Sequence, residues 1–280
     1  LVNDLLKYFE QEQYTYCNTN ETITENCSIH FLQKRYNCTW SGYNFMRQFF
    51  AALDYIRKTF SHEKHQFVHW ISGNDYALMS PEEMGRHLSM YQQELNSKVL
   101  NFVEVKPLAS DSYKPQLLDK VAVECDNYVH VAYDRANSSV ENKVVFNKSK
   151  FFIGSNWFTL HIEFVKWLLE QTQSQLFKFF ENVPNPDETM IQTLIMHSSL
   201  QLRKTIVNDN LRFIEFNSEL LHCYHGKIAD YCGTHPETLT LEKHSVQELT
   251  ASGDFFARKF TGAAKKNDIV SELVLELEQV

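Results

Sequence analysis

Along residues 42–60 the apolar positions Phe45, Phe49, Leu53, Ile56 and Phe60 fall at helical spacing, which predicts a helix. Residues 1–12 read as a shorter amphipathic helix through Leu5, Leu6, Tyr8 and Phe9, and 14–28 as a Thr-, Asn- and Glu-rich exposed loop. A short strand is expected over 28–32, and a buried strand over 66–71 that runs into a Gly73-Asn74-Asp75 turn. Ser80-Pro81-Glu82-Glu83 carries the start signals of a helix that reaches about Leu95: Ser caps, Pro occupies the first turn, and Glu83 completes a capping box. Residues 99–105 and 121–124 are strand-like, with polar connections over 106–118 and 134–150. Short apolar runs at 151–153 and 157–160 flank a Gly154-Ser155 turn. A helix is predicted over 163–180 with Phe164, Trp167, Leu168 and Leu176 inward. Pro184-Asn185-Pro186 then breaks the chain, and Asp187 and Glu188 open a helix reaching His197. Strands at 205–207 and 213–216, a polar Cys-containing loop, a helix near 241–251, a strand at 255–260 and a helix after Asn267 complete the pattern. Interleaved strands and helices without an internal repeat predict a layered α/β domain.

With 280 residues, 43% hydrophobic and 22% charged, the chain can bury a full core, and disorder is excluded as its main state. A net charge of −8 makes it a poor sequence-independent nucleic-acid binder, because that affinity comes from neutralising phosphates. No apolar run approaches the ~18 residues of a membrane helix, so membrane association is expected only through an anchor outside this chain. Six cysteines and five N-x-[ST] sequons, at Asn20, Asn26, Asn37, Asn137 and Asn147, favour the secretory lumen, where disulfides persist and glycans are added. The chain begins at Leu1, which fits the luminal part of a longer, anchored protein.

No G-x-G-x-x-G and no G-x-x-x-x-G-K-[ST] occurs, which argues against dinucleotide oxidoreductases and P-loop NTPases. No Asp-x-Asp occurs either, the nearest approach being Glu124-Cys125-Asp126, and this weakens any reading in which a divalent ion clamps a diphosphate. Asp187-Glu188 is the best acid/base candidate, since a carboxylate at a helix N-terminus is firmly aimed and could take a proton from a hydroxyl. The same pair also suits ordinary charge at a helix start. Arg258 and Lys259 lie inside the aromatic run Phe255–Phe260, an expensive place for cations unless an anion is close by. Either the anion is a structural carboxylate, or the two cations stabilise a diphosphate leaving group without a metal. Cys223, His225, Cys232 and His235 have the types and number of a zinc site, but a Cys223–Cys232 disulfide is the simpler account in a chain bearing sequons. Trp40 and Trp157, each beside small polar residues, suit either stacking on a base or sugar ring or plain rim packing.

In order along the chain, eight segments resemble the core-2/I-branching glycosyltransferases, above all the peptide O-xylosyltransferase branch. They are Cys38-Thr39-Trp40-Ser41-Gly42, Ile71-Ser72-Gly73-Asn74-Asp75-Tyr76, Glu124-Cys125-Asp126, Gly154-Ser155-Asn156-Trp157-Phe158, Pro186-Asp187-Glu188-Thr189, Val207-Asn208-Asp209-Asn210-Leu211-Arg212, Cys223 to Cys232-Gly233, and Phe255-Phe256-Ala257-Arg258-Lys259-Phe260. The resemblance covers about residues 28–280 as one catalytic domain, with 1–27 poorly matched. It implies a GT-A-like fold, a mixed sheet flanked by helices and lacking the family's first strand, which is expected before residue 1. It implies inverting transfer from a UDP-sugar with no metal or other cofactor, in the lumen of the Golgi or endoplasmic reticulum, by part of a type II membrane protein. Glu188 matches the family's catalytic base, and Arg258 and Lys259 match the diphosphate-binding pair. Thr39, Trp40, Asn156, Trp157 and His235 match nucleotide-sugar contacts. The implied donor is UDP-xylose and the acceptor a Ser of a proteoglycan core protein. A β-1,6-N-acetylglucosaminyltransferase acting on glycans, or a non-catalytic nucleotide-sugar or glycan-binding relative, are the alternatives. Asn156 stands where the xylosyltransferases have Asp, and His235 where they have Ser. Two further cysteines of the 223–232 loop are missing together, which leaves Cys223 to pair with Cys232 by the family's pattern. The additional C-terminal domain of that branch is absent from this sequence.

Overall fold

Helix α1 (Asn44–Thr59) forms because Met46, Phe49, Phe50 and Leu53 fall on one stripe and are buried together. The computed structural model describes residues 32–39, 41–60, 66–108, 120–125, 128–134, 150–225, 230–260 and 269. The chain divides into two compact units, Leu1–Arg35 and Tyr36–Val280, and every described helix and strand belongs to the second. The stripe of α1 meets α3 (Ile162–Glu170) and α4 (Gln175–Phe179), and Phe49, Phe158, Leu160, Phe164, Phe180 and Ile191 share that largest core. Aromatic rings within it meet edge to face, as Phe49 does with Trp70 at 4.7 Å between centroids.

Two mixed sheets carry the rest. One has four strands in the order β1 (Phe67–His69), β8 (Thr159–His161), β3 (Asn101–Phe102), β9 (Ile206–Val207), antiparallel except for the parallel β3–β9 pair. The other has three, in the order β10 (Arg212–Ile214), β13 (Phe256–Arg258), β2 (Asp75–Ala77), with β10–β13 parallel and β13–β2 antiparallel. Three two-stranded pairs complete the description: β4 (Lys106–Pro107) with β7 (Phe152–Ile153), β5 (Lys120–Cys125) with β6 (Tyr128–Asp134), and β11 (Phe216–His225) with β12 (Asp230–Pro236). The mixed α/β class is therefore as expected.

Helix α2 (Pro81–Glu94) starts where the sequence places it, and its capping box is complete: Glu83 N–H donates to Ser80 Oγ at 3.2 Å, and Ser80 N–H to Glu83 Oε2 at 3.0 Å. Several elements differ from expectation. The helix over 163–180 is interrupted: a 3-10 turn spans Gln171–Gln173, Ser174 leaves the helical conformation to cap α4, and a second 3-10 turn ends at Asn182. Thr172 and Ser174 compete locally for backbone groups, which favours such breaks. Asp187 and Glu188 do not open a helix. They end a separate 3-10 turn, Pro186–Glu188, and α5 (Met190–Met196) begins only after Thr189. The Cys-containing segment is not a loop, since its backbone pairs as the β11–β12 hairpin. Helix α6 (Leu200–Arg203) precedes β9, and α7 (Val246–Ala251) is shorter than expected, capped by Ser245. The expected helix at 1–12 and all but the last residue of the strand at 28–32 lie outside the described residues; of the final helix only Ile269 is described, helical and fully buried.

Candidate active site

Strand register gathers one half of the site. Asp75, the first residue of β2, lies opposite Arg258, the last of β13, and Arg212, the first of β10, lies opposite Phe256. Cross-strand partners, and positions two apart on a strand, share a sheet face, so all four side chains meet there. The opposite face, with Tyr76, Phe213 and Ala257, closes onto Leu78, Leu239, Val246 and Leu249.

The Asp75 side chain is fully buried and anchored by Ser72, whose N–H and Oγ each donate to Oδ2 at 2.6 Å. Its other oxygen, Oδ1, lies 2.9 Å from Arg212 Nε and 3.7 Å from Arg258 Nη1. The Arg212 side chain is 1% exposed and that of Arg258 13%. Arg212 Nη2 also donates to the Trp70 carbonyl at 3.2 Å. Both guanidinium groups face the Trp157 ring, at 4.3 Å for Arg258 and 5.1 Å for Arg212, and Arg212 lies 5.1 Å from the Phe256 ring as well. Burial pulls the Arg212 pKa down to about 10, against the attraction of Asp75 and, more weakly, Asp254. Arg258 is also shifted down by burial, with Asp75 opposing. Arg212 therefore remains a cation at neutral pH. Among the described residues, Arg212 Nε and Nη1, Arg258 Nε and Nη1, and Asp75 Oδ1 make no hydrogen bond, so the 2.9 Å approach of Arg212 to Asp75 is an ion pair without hydrogen-bond alignment. The buried donors of Arg258, the more accessible of the two cations, suit an anionic ligand.

The other half is built from loops held by α5. Gln192, fully buried, donates from Nε2 to the Ser155 carbonyl at 2.7 Å, and Thr193 Oγ1 bonds both the N–H and the carbonyl of Phe152. Gly154 N–H donates to the Glu188 carbonyl at 3.0 Å. A Cβ at residue 154 would sit 1.8 Å from the Glu104 carbonyl oxygen, so only glycine fits. Asn156 Nδ2 donates to Asp187 Oδ2 at 3.0 Å. Asn185, left-handed at φ 49°, donates its N–H to the Ser41 carbonyl at 3.1 Å and to Ser41 Oγ at 3.2 Å. That contact places the turn from Thr39 to Gly42 beside the segment bearing Asp187 and Glu188. Asn156 and Trp157 are neighbours in sequence, so one short loop touches the carboxylate segment through the first and the two arginines through the second.

The candidates thus divide. Asn156, Trp157, Arg258 and Glu188 belong to one connected set of contacts, with Thr39 next to it. Glu188 and Lys259 are half-buried; the Lys259 backbone bonds Glu237 and Leu239, and the Arg258–Lys259 peptide is cis. The structural-carboxylate reading of the aromatic run is met in part, since Asp75 does face Arg258, but Arg212 is the cation closer to it. Trp40 lies outside the described residues, as do Asn20, Asn26, Asn137 and Asn147, while Asn37 is exposed. For Cys223, Cys232 and His235 the backbone alone is described. Cys223 is paired directly across from Cys232, and His235 lies three residues further along β12. Among the described residues no three His, Cys, Asp or Glu side chains are grouped to hold a metal ion, and no helix is long and apolar enough to cross a membrane.

Asp75, Arg212 and Gln192 are site residues that pattern reading passed over. Asp75 reads as a turn residue. Arg212 carries the same signal as Arg258, a cation in an apolar strand, within Leu211-Arg212-Phe213-Ile214. Gln192 was legible only as a polar interruption of a helix that is otherwise nearly all buried.

No curated protein matches the chain significantly. A family model described as core-2/I-branching enzyme matches residues 18–250, ending just before the segment that carries Arg258 and Lys259. With most of its length inside that match, the chain belongs to the core-2/I-branching enzyme family, a family of glycosyltransferases.

Proposed function

We propose that this chain is an inverting, metal-independent glycosyltransferase with a GT-A-like fold, moving a sugar from a UDP-sugar to a hydroxyl acceptor in the Golgi or endoplasmic reticulum lumen. The observation that carries the reading is the link between a carboxylate segment and a cationic pocket through the two neighbours Asn156 and Trp157. Glu188 takes the acceptor hydroxyl proton as that oxygen attacks the anomeric carbon. The bond from that carbon to the diphosphate breaks on the opposite face, and UDP leaves with its charge met by Arg258 and Lys259. Two cations in place of an ion make the transfer independent of metal. Thr39, Trp40, Trp157 and His235 contact the nucleotide-sugar. The register of Cys223 with Cys232, and the exposed sequon at Asn37, support a luminal setting.

The donor is UDP-xylose and the acceptor a Ser hydroxyl of a proteoglycan core protein, on the strength of the eight ordered motifs. One observation favours a second donor. The residue that is Asp in the xylosyltransferase pattern is here an amide, engaged with Asp187, and UDP-N-acetylglucosamine with a glycan acceptor is the reading that would follow from a changed sugar contact.

A panel of UDP-sugars, read by binding and by hydrolysis, tests both. UDP-xylose turned over best supports the first donor, and UDP-N-acetylglucosamine the second. Glu188→Gln should bind UDP as the wild type does and lose at least ~100-fold in turnover, the scale of a general base. UDP binding with no turnover of any donor, in wild type as in Glu188→Gln, would point to a non-catalytic relative. A strong loss of activity on adding a chelator would overturn the metal independence.

A further inference from the structure

Asp75 is not shared evenly. Its Oδ1 is 2.9 Å from Arg212 and 3.7 Å from Arg258. Arg212 is also fixed at its other end by the Trp70 carbonyl and lies over Phe256. It is nearly inaccessible, at 1% exposure, so direct contact with a ligand would require the pocket to open. The residue before it, Leu211, is held at φ 53°, a conformation that a branched side chain rarely adopts, and its carbonyl accepts from both Phe255 and Phe256. Backbone and side chain together fix where the Arg212 charge sits.

We propose that Arg212 is a positioning residue for the anion site: by occupying Asp75 it keeps Arg258 from being captured by that carboxylate, and so leaves Arg258 to bind the diphosphate of the nucleotide-sugar. The inference rests on the nucleotide-sugar reading above and adds to it a residue that never touches the ligand. Without Arg212, the Asp75 carboxyl stays buried with Arg258 as the close cation among the described residues, and the remaining gap closes. An internal ion pair then competes with the ligand for the same guanidinium. Trp157 accommodates this, because the ring faces both cations and does not lock either.

The test is calorimetric binding of UDP, inorganic pyrophosphate and uridine to the full chain. Arg212→Gln should weaken UDP and pyrophosphate by roughly tenfold or more, the scale of one charge-assisted hydrogen bond, and leave uridine unchanged. The double variant Arg212→Gln with Asp75→Asn should recover most of that loss, since no carboxylate is left to capture Arg258. Asp75→Asn alone should bind UDP as tightly as wild type or more so. Arg212→Lys keeps a cation against Asp75 and should stay within about threefold of wild type on the same scale. If Arg212→Gln does not fold, Asp75→Asn and Arg212→Lys decide the matter. Equal losses for UDP and uridine, no recovery in the double variant, or weaker UDP binding by Asp75→Asn would overturn the proposal. A wild type that binds neither UDP nor pyrophosphate would overturn the nucleotide-sugar reading and this inference with it. A wild type that binds both while Arg212→Gln binds equally well would overturn the inference alone.

Discussion

Replacing the Asn156 amide by a carboxylate would set two acidic oxygens about as close as Nδ2 and Oδ2 are now, 3.0 Å. Like charges at that spacing do not ionise together, so one proton would be shared and one pKa driven up. Asn156→Asp is therefore expected to resemble wild type in mildly acidic solution, where the shared proton restores a hydrogen bond. At neutral pH and above it should lose turnover and thermal stability, as the two carboxylates separate and the loop shifts. A pH profile of turnover parallel to that of wild type would refute this. The same pair gives a physical reason for the departure from the xylosyltransferase pattern: beside Asp187, an amide donates where an acid would repel. Trp157→Leu removes the ring that both guanidinium groups face and should cost about 1–3 kcal/mol in denaturant unfolding, given about 0.5–2 kcal/mol per cation–π contact. Charge identity was legible at this scale, since Arg258 and Glu188 stand out by the company they keep. Partner choice was not: nothing local in the sequence says that Asp75 and Arg258, nearly two hundred residues apart, are register partners, or that Arg212 is the closer cation.

Between the halves of the site, position is set by elements rather than by single side chains. The 154–157 loop is held by the buried polar face of α5 and by the close approach of residue 154 to the Glu104 backbone. Gly154→Ala would press a methyl into that carbonyl and force the loop off the Glu188 backbone. The expected cost is about 1–3 kcal/mol of stability, as for overpacking, together with a loss of turnover that exceeds any loss of UDP binding. Wild-type melting and activity in that variant would show the approach to be unimportant. At the β11–β12 hairpin, a Cys223–Cys232 disulfide is expected to stabilise by about 2–3 kcal/mol, because the closed loop is short. Mass spectrometry of the unreduced protein should find the two linked; alkylation of both without a reductant would sink the pairing. Elements with a strong local signature were readable in advance. The Ser80 capping box and the stripe of α1 depend on residues within one or two turns of each other. The hairpin and the breaks near Ser174 and Thr189 were not readable. A polar strand is stabilised by its partner rather than by burial of its own alternate residues, and helix breaks among good helix formers depend on tertiary contacts.

For the molecule as a whole, net charge and local charge point in opposite directions. A chain of net charge −8 keeps a cationic pocket, and a histidine with a buried ring lies beside it. His69, on β1, pairs through Nδ1 with Thr159 Oγ1 at 2.9 Å, and its ring lies 6.0 Å from Phe255 and 5.4 Å from Phe256. The residue as a whole is half-buried, but burial of the ring, helped by the nearby Arg212 charge, brings its pKa down to about 4 from the usual 6.5. The folded protein therefore holds His69 neutral, while the unfolded chain protonates it below about pH 6.5. Between those values the unfolded state binds the extra proton, so His69 costs no stability above pH 6.5, and stability falls as pH drops from there toward 4, by at most ~1.4 kcal/mol per pH unit. Glu83, whose pKa the Ser80 N–H lowers, adds a loss that begins only as pH falls through the ordinary carboxylate range. His69→Gln should give up some stability at pH 7.5 but lose less between pH 7 and 5, so the melting curves of variant and wild type converge on acidification. Curves that stay parallel would show that His69 titrates normally in the folded state.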